Sequence, residues 1–142
     1  MTNIQHVIDI DAPARAVWVV MRDLTAWPRW APTFQEVKLA RGPEGVGAVY
    51  AVRQPRLPPS RMEVTRWGPD GFTWEARSAV LGAQADHVIH ATSTTACRVE
   101  LAFRFTGVLA PLAHAMLAGL VRRYVTDEAA ALRRTVGAQP RT

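Results

Sequence analysis

The middle of the chain is a series of short segments in which apolar and polar residues alternate, and this pattern constrains the fold most. Residues 97–106 (CRVELAFRFT) show it best, because every second side chain from Val99 to Phe105 is large and apolar. Such alternation is typical of an antiparallel sheet with one solvent-facing side. Breaks rich in Gly and Pro separate the segments, most clearly at 69–71. The pattern predicts strands at 4–10, 34–40, 46–54, 60–68, 71–78, 84–93 and 97–106.

Helical signals flank the long run of strands. Between the first and second strands, Pro28 and Pro32 exclude one long helix, so residues 11–32 are expected to form two short helical pieces. The last element is a long helix at about 110–136, whose apolar residues recur at helical spacing. Strands that run together with helices at the ends indicate the α+β class. The apolar stripe of the long helix is expected to consist of Leu109, Leu112, Ala113, Met116, Leu117, Leu120, Tyr124 and Ala131.

These elements are expected to form a curved seven-stranded antiparallel sheet wrapped around the long C-terminal helix. With 142 residues and no repeat or linker, the whole of 1–142 is expected to be one domain. One helix about 10 Å wide cannot fill the concave face of so wide a sheet. The remaining space must hold large side chains, the short helices or a ligand.

Four segments resemble a known superfamily: 8–13 (IDIDAP), 23–30 (DLTAWPRW), 52–59 (VRQPRLPP) and 72–77 (FTWEAR). With the order of elements, they resemble the START-like, helix-grip (SRPBCC) superfamily, and within it the bacterial polyketide cyclase/dehydrase and lipid-transport group. The resemblance covers nearly the whole chain. It implies a helix-grip fold with a deep apolar pocket between the sheet and the long helix, gated by the short helices. It supplies no catalytic motif that maps residue by residue.

Aromatic and apolar residues on the expected inner wall are the candidates for ligand contact. Trp27, Trp30 and Phe34 either grip a ligand at the pocket mouth or form a plug that packs the short helices onto the sheet. Tyr50 and Tyr124 carry hydroxyls that need partners when buried, and a ligand carbonyl would suit them. The full set of candidates is Trp27, Trp30, Phe34, Tyr50, Met62, Trp74, Phe103, Met116, Leu120 and Tyr124.

Two histidines on one predicted strand are the candidates for acid–base chemistry, with Tyr124 beside them. His87 and His90 are three residues apart, so they face opposite sides of the sheet. If the turn at 94–95 pairs residue 90 with residue 99, His90 points inward, and a one-residue shift brings in His87 instead. An inward histidine near Asp86 or Tyr124 is a candidate general base. The alternative is a surface or structural histidine.

Nucleic-acid, metal and cofactor binding are not expected. The net charge of +5 comes from 16 arginines and one lysine scattered along the chain, not gathered with aromatic residues in a stripe. Cys97 is the only cysteine, and the four histidines lack a metal-ligand spacing. The Gly-rich segment 42–47 joins two strands and opens no helix, unlike a phosphate-binding loop.

No stable membrane insertion is expected either, because no run of 18 apolar residues occurs. Residues 1–6 lack the basic start and apolar block of a secretory signal, which favours a cytoplasmic location.

Three functions remain open at this stage. The first is binding of a small hydrophobic or polycyclic aromatic ligand, lipid- or polyketide-like, in the cavity. The second is an enzyme of the cyclase, dehydratase or isomerase type, with His90 or His87 as base and Tyr50 or Tyr124 as donor. The third is an interaction module that docks through an exposed apolar patch. The sequence specifies neither the ligand nor the oligomeric state.

Overall fold

A computed structural model describes residues 3–139, and seven antiparallel strands in it form one sheet. Residues 1–2 and 140–142, the outermost parts of the predicted domain, lie outside this range. A short 3-10 turn, Leu24–Ala26, links the first two helices. The elements are β1 (Ile4–Ile10), α1 (Ala14–Met21), α2 (Trp27–Trp30), β2 (Glu36–Arg41), β3 (Val49–Arg53), β4 (Ser60–Gly68), β5 (Gly71–Ala76), β6 (Gly82–Ala91), β7 (Cys97–Thr106) and α3 (Ala110–Ala138).

The strand order is β1-β7-β6-β5-β4-β3-β2, so the first strand pairs with the last and the others follow as a meander. This arrangement confirms the predicted α+β, helix-grip class and all seven strands. The largest error in strand bounds is at β3, which begins at Val49 and not at residue 46. Gly42, Gly45 and Gly47 all have positive φ, and the loop that they form extends further than the alternation suggests.

The long helix α3 packs on β1, β7 and α1, but its buried face differs from the predicted stripe. Leu112 and Met116 are 56% and 73% exposed, so the expectation that they face inward is wrong. Residues 110–120 are apolar on most sides, and spacing within them does not select a face. The buried residues in the second half of the helix, such as Leu132 and Val136, determine which face of α3 packs inward. The buried positions are Ala113, Ala118, Val121, Glu128, Ala129, Ala131, Leu132 and Val136.

Gly71 is the last residue of the predicted 69–71 turn and the first residue of β5, and it lies directly against β6. Its φ of +124° belongs to the region that favours glycine. A Cβ atom built at this position would come within 1.9 Å of the His87 carbonyl oxygen. The absence of a side chain at Gly71 therefore lets β5 and β6 approach each other at His87.

We expect Gly71→Ala to be much more destabilising than Gly45→Ala, measured as the free energy of unfolding in urea. Gly45 has a similar φ of +119° but no heavy atom within 4 Å of a built Cβ. Gly45→Ala should cost about 1–2 kcal/mol through backbone strain alone. Gly71→Ala should cost about 1–3 kcal/mol more, because β6 must move. Equal losses in the two variants would show that this close approach does not matter.

Candidate ligand-binding cavity

A cavity of about 250 Å³ lies between the sheet and α3. Side chains from β3 to β7 and from α3 form its wall, and the loop between β3 and β4 borders it. This is the space that one helix was expected to leave over a wide sheet. The wall is largely apolar, and its larger side chains include Phe34, Met62, Trp74, Leu101, Phe103, Phe105, Leu117, Val121 and Val125.

The most polar feature of the wall is a buried pair formed by His87 of β6 and Glu128 of α3. The His87 Nε2 atom lies 3.1 Å from the Glu128 Oε2 atom, and their side chains are 4% and 11% exposed. The imidazole stacks on Phe72, with ring centroids 4.2 Å apart and planes 7° from parallel. Trp27 and Trp74 make T-shaped contacts with the same imidazole, with ring planes inclined by 68° and 84°. The His87 ring is therefore held in place by three packed aromatic rings.

Strand register decides which histidine faces the cavity. In β6, His87 pairs with Leu101 and Ile89 pairs with Val99, so His90 pairs with Arg98. The register is shifted by one residue from the 90-to-99 pairing, because it buries two β-branched side chains, Ile89 and Val99. The sequence leaves open which histidine faces inward. The pairing that would turn His90 inward does not occur, and His87 is the inward histidine. The His90 side chain is 52% exposed and lies 3.5 Å from Glu100.

The partner of His87 also differs from the expected Asp86 or Tyr124. The Asp86 carboxylate accepts hydrogen bonds from Thr73 Oγ1 at 2.9 Å and Gln84 Nε2 at 3.2 Å. The hydrogen-bond partner of the His87 imidazole is instead Glu128. When Nε2–H donates a hydrogen bond to the Glu128 carboxylate, the neutral imidazole carries its lone pair on Nδ1. The Nδ1 atom is buried and has no hydrogen-bond partner within the described residues.

The aromatic residues of the short helices divide between core and cavity. Trp27 is 1% exposed, and its Nε1–H donates to the Met21 carbonyl at 2.9 Å. It packs on Trp30, Phe34 and Trp74 and does not line the cavity. Half-buried Trp30 does not line it either, whereas Phe34 does. The plug interpretation therefore describes Trp27 and Trp30, and only Phe34 is placed to meet a ligand.

The other wall candidates are also divided. Met62, Trp74 and Phe103 line the cavity as expected. Tyr50 is buried against Trp74 outside the cavity lining, and burial raises the pKa of its hydroxyl, with Glu44 and Asp23 acting in the same direction. Leu120 is half-buried and does not line the cavity. With Tyr50 outside the lining, its expected role as a cavity donor is wrong.

Tyr124 lines the cavity and also closes one side of it. Its hydroxyl donates a hydrogen bond to the Pro55 carbonyl in the loop between β3 and β4. The same loop contains Arg56, the one non-glycine residue with positive φ among those described, at +64°. Leu57, with the two prolines that follow it, lines the cavity. The hydrogen bond therefore ties α3 to the loop that borders the ligand space.

Glu128 was not among the sequence candidates, although a signal for it exists. It lies four residues after Tyr124 and four before Leu132, on the face of α3 that is buried. A lone carboxylate on an otherwise apolar helical face is rarely buried without a partner. That pattern identifies Glu128, but the apolar stripe in the first half of α3 points to another face.

Two further expectations concern metals and membranes. Within residues 3–139, no group of three or more His, Cys, Asp or Glu side chains is arranged to hold a metal ion. None of the helices in that range has the length and hydropathy of a membrane span. Cys97 is buried, and burial raises the pKa of its thiol, with Asp9 acting in the same direction, so the reactive thiolate is disfavoured.

A curved sheet, a long covering helix and a largely apolar cavity between them define a helix-grip protein. The chain belongs to the family of polyketide cyclases/dehydrases and lipid-transport proteins, which it matches over residues 1–137. No curated protein matches the chain.

Solved structures share the fold at low sequence identity. The aromatase/cyclase Zhui from Streptomyces sp. R1128 is 15% identical, with a TM-score of 0.78 over 99% of this chain and 96% of its own. Norcoclaurine synthase from Thalictrum flavum, solved with dopamine and hydroxybenzaldehyde, is 13% identical, with a TM-score of 0.76 over 99% and 89%. The di-domain aromatase/cyclase BexL of the BE-7585A pathway is 20% identical, with a TM-score of 0.75. The match covers 96% of this chain and 47% of the BexL chain, so this chain spans about half of BexL.

We expect Tyr124→Phe to loosen the loop between β3 and β4 without unfolding the protein. Loss of the hydrogen bond to Pro55 removes about 1 kcal/mol of local stability, so the Leu57 amide should exchange with solvent about fivefold faster. Native-state hydrogen exchange measures this rate. Tyr50→Phe is the matched control and should leave Leu57 unchanged. An unchanged Leu57 rate in Tyr124→Phe would mean that the hydrogen bond does not hold the loop.

Proposed function

We propose that the protein binds a small, largely apolar aromatic molecule in the cavity between the sheet and α3. The observation that carries this proposal is the cavity itself, because one helix leaves it unfilled and its wall is mostly apolar and aromatic. Ligand pockets are typically concave, apolar and supplied with a few polar groups. Membership of the polyketide cyclase/dehydrase and lipid-transport family supports the same function.

The size of the cavity narrows the ligand. A volume of about 250 Å³ lies just below the range of roughly 300–1,000 Å³ that is usual for ligand pockets. An apolar cavity of about 150 Å³ holds one benzene molecule. The space therefore suits a ligand of about two fused rings, at the small end of the small hydrophobic or polycyclic aromatic ligands that the sequence predicts.

Ala85 offers a direct test, because it lies on the cavity wall between Trp74 and Phe103 in the neighbouring strands. We expect the wild-type protein to bind naphthalene, and Ala85→Leu to bind it at least about tenfold more weakly because the added carbons occupy the ligand space. Titration followed by naphthalene fluorescence measures both affinities.

Ala51→Leu is the control for this experiment. Ala51 lies on β3, pairs with Lys38 and Arg61, and does not line the cavity. This variant should bind naphthalene like the wild type. Equal binding by Ala85→Leu and the wild type, or no binding by the wild type, would contradict the proposal.

The His87–Glu128 pair favours a second candidate function, an acid–base enzyme of the cyclase or dehydratase type. The pair lies on the wall of an apolar space, where a carboxylate can take a proton from carbon next to a ketone. In this reaction the C–H bond breaks, its proton goes to one oxygen of Glu128, and its electron pair moves to the ketone oxygen to give an enolate. His87 Nε2–H donates a hydrogen bond to the other Glu128 oxygen. The proton later returns to the carbon or exchanges with water, so the pair is regenerated.

Exchange of the α-protons of 2-tetralone in deuterium oxide tests this second candidate. We expect the wild-type protein to accelerate exchange about hundredfold over buffer, as a positioned general base does. Glu128→Gln should remove the acceleration, whereas Glu100→Gln, which changes the exposed partner of His90, should retain it. NMR signal loss gives the rates. If the wild type does not accelerate exchange, the enzymatic candidate fails and the binding function stands alone.

A further inference from the structure

We infer that the cavity selects neutral hydroxyl-bearing aromatic ligands, such as phenols and enols, and rejects carboxylates. This inference rests on the proposed binding function and adds the chemical class of the ligand. It follows from the charges on the cavity wall, which oppose the charge of the protein as a whole.

The protein carries a net charge of +5, yet the cavity wall is acidic. Among residues 3–139, no Lys or Arg lines the cavity. Glu128 supplies the carboxylate that faces it, because the Asp86 carboxylate points to the other side of β6, where it accepts hydrogen bonds from Thr73 and Gln84. The arginines near the mouth, such as Arg56, are exposed. An anionic ligand would leave water for an apolar space that offers no Lys or Arg and already contains the Glu128 carboxylate.

The imidazole of His87 does not compensate for the missing cation. Its Nε2 atom is turned to Glu128 at 3.1 Å, and its Nδ1 atom is buried away from solvent. Neither ring nitrogen is free to donate to the carboxylate of a ligand. A fatty acid or aromatic acid therefore finds no Lys or Arg side chain in the cavity lining to pair with its charge.

Glu128 instead offers an acceptor. An ionised carboxylate has two oxygens, and His87 occupies Oε2, which leaves Oε1 for a donor on the ligand. One hydroxyl satisfies this oxygen with a charge-assisted hydrogen bond, which is about twice as strong as a neutral one. A hydroxyl on an otherwise apolar ring system matches a wall that is largely apolar and holds one carboxylate.

A protonated amine fits less well than a hydroxyl. An ammonium group brings three donors and a full charge, and its desolvation is costly unless all three donors are paired. The carboxylate that it would meet is already shared with His87. We therefore assign the site to hydroxyl donors rather than to cations.

Four probes of one ring size test the inference: naphthalene, 2-naphthol, 2-naphthoate and 2-naphthylmethylammonium, titrated at neutral pH by calorimetry. We expect 2-naphthol to bind about tenfold more tightly than naphthalene, because one hydrogen bond to a charged group is added. The naphthoate should bind at least about hundredfold more weakly than 2-naphthol, since its charge stays unpaired. The ammonium probe should bind more weakly than 2-naphthol.

Glu128→Gln tests the residue responsible. The amide keeps the shape but loses the charge, so the preference for 2-naphthol over naphthalene should shrink to about threefold or less and the naphthoate should gain affinity. Glu100→Gln should leave the wild-type ranking unchanged. Naphthalene affinity reports whether each variant keeps its cavity, and the wild-type ranking is decisive even if Glu128→Gln does not fold.

The outcomes separate the two proposals. Naphthalene binding without a preference for 2-naphthol, or a naphthoate or ammonium probe that equals 2-naphthol, overturns the ligand class and leaves cavity binding in place. An unchanged ranking in folded Glu128→Gln also overturns it. If no probe binds to the wild type, the proposed function fails and the ligand class fails with it.

Discussion

The structure depends on the mismatch between one helix and a sheet of seven strands. Contacts along β1, β7 and α1 bury one face of α3, and the cavity lies between the helix and strands β3 to β7. Trp27 fills much of the remaining core, where it contacts Phe34, Phe72 and Trp74. The aromatic core therefore packs behind the cavity wall at Trp74, and a cavity of about 250 Å³ remains between the sheet and α3. The cavity follows from this shortfall in packing rather than from a specific motif.

The chemistry of the cavity depends on a single strand register. The pairing of His87 with Leu101 brings the imidazole to the inner face and directs it to Glu128. The close approach of Gly71 to the His87 carbonyl, together with the Arg66 Nη2 donor 3.1 Å from that oxygen, holds β6 in place there. On the other side of β6, His90 and Glu100 form a similar pair in water. Two pairs of the same composition thus differ chiefly in burial, and only the buried one borders a ligand space.

The sequence predicts the sheet well and the site only in part. Alternation identifies every strand, because the period of two survives without tertiary context. It does not determine the register across 92–96, where a one-residue difference exchanges His90 for His87. Nor does helical spacing select the face of α3, because Leu112 and Met116 form an apolar stripe that faces solvent. Glu128 was missed for that reason. Ligand roles for Phe34, Met62, Trp74, Phe103 and Tyr124 remain proposals, whereas the geometry places Met116 in solvent.

Xenon binding tests most directly whether the space between the sheet and α3 is open. Xenon enters dry apolar cavities and needs no specific polar partner. In crystals pressurised with xenon, the account predicts a xenon atom among Trp74, Phe103 and Val121 of the cavity wall. A sheet–helix interface filled by side chains, with no xenon between β5 and α3 at saturating pressure, would contradict it.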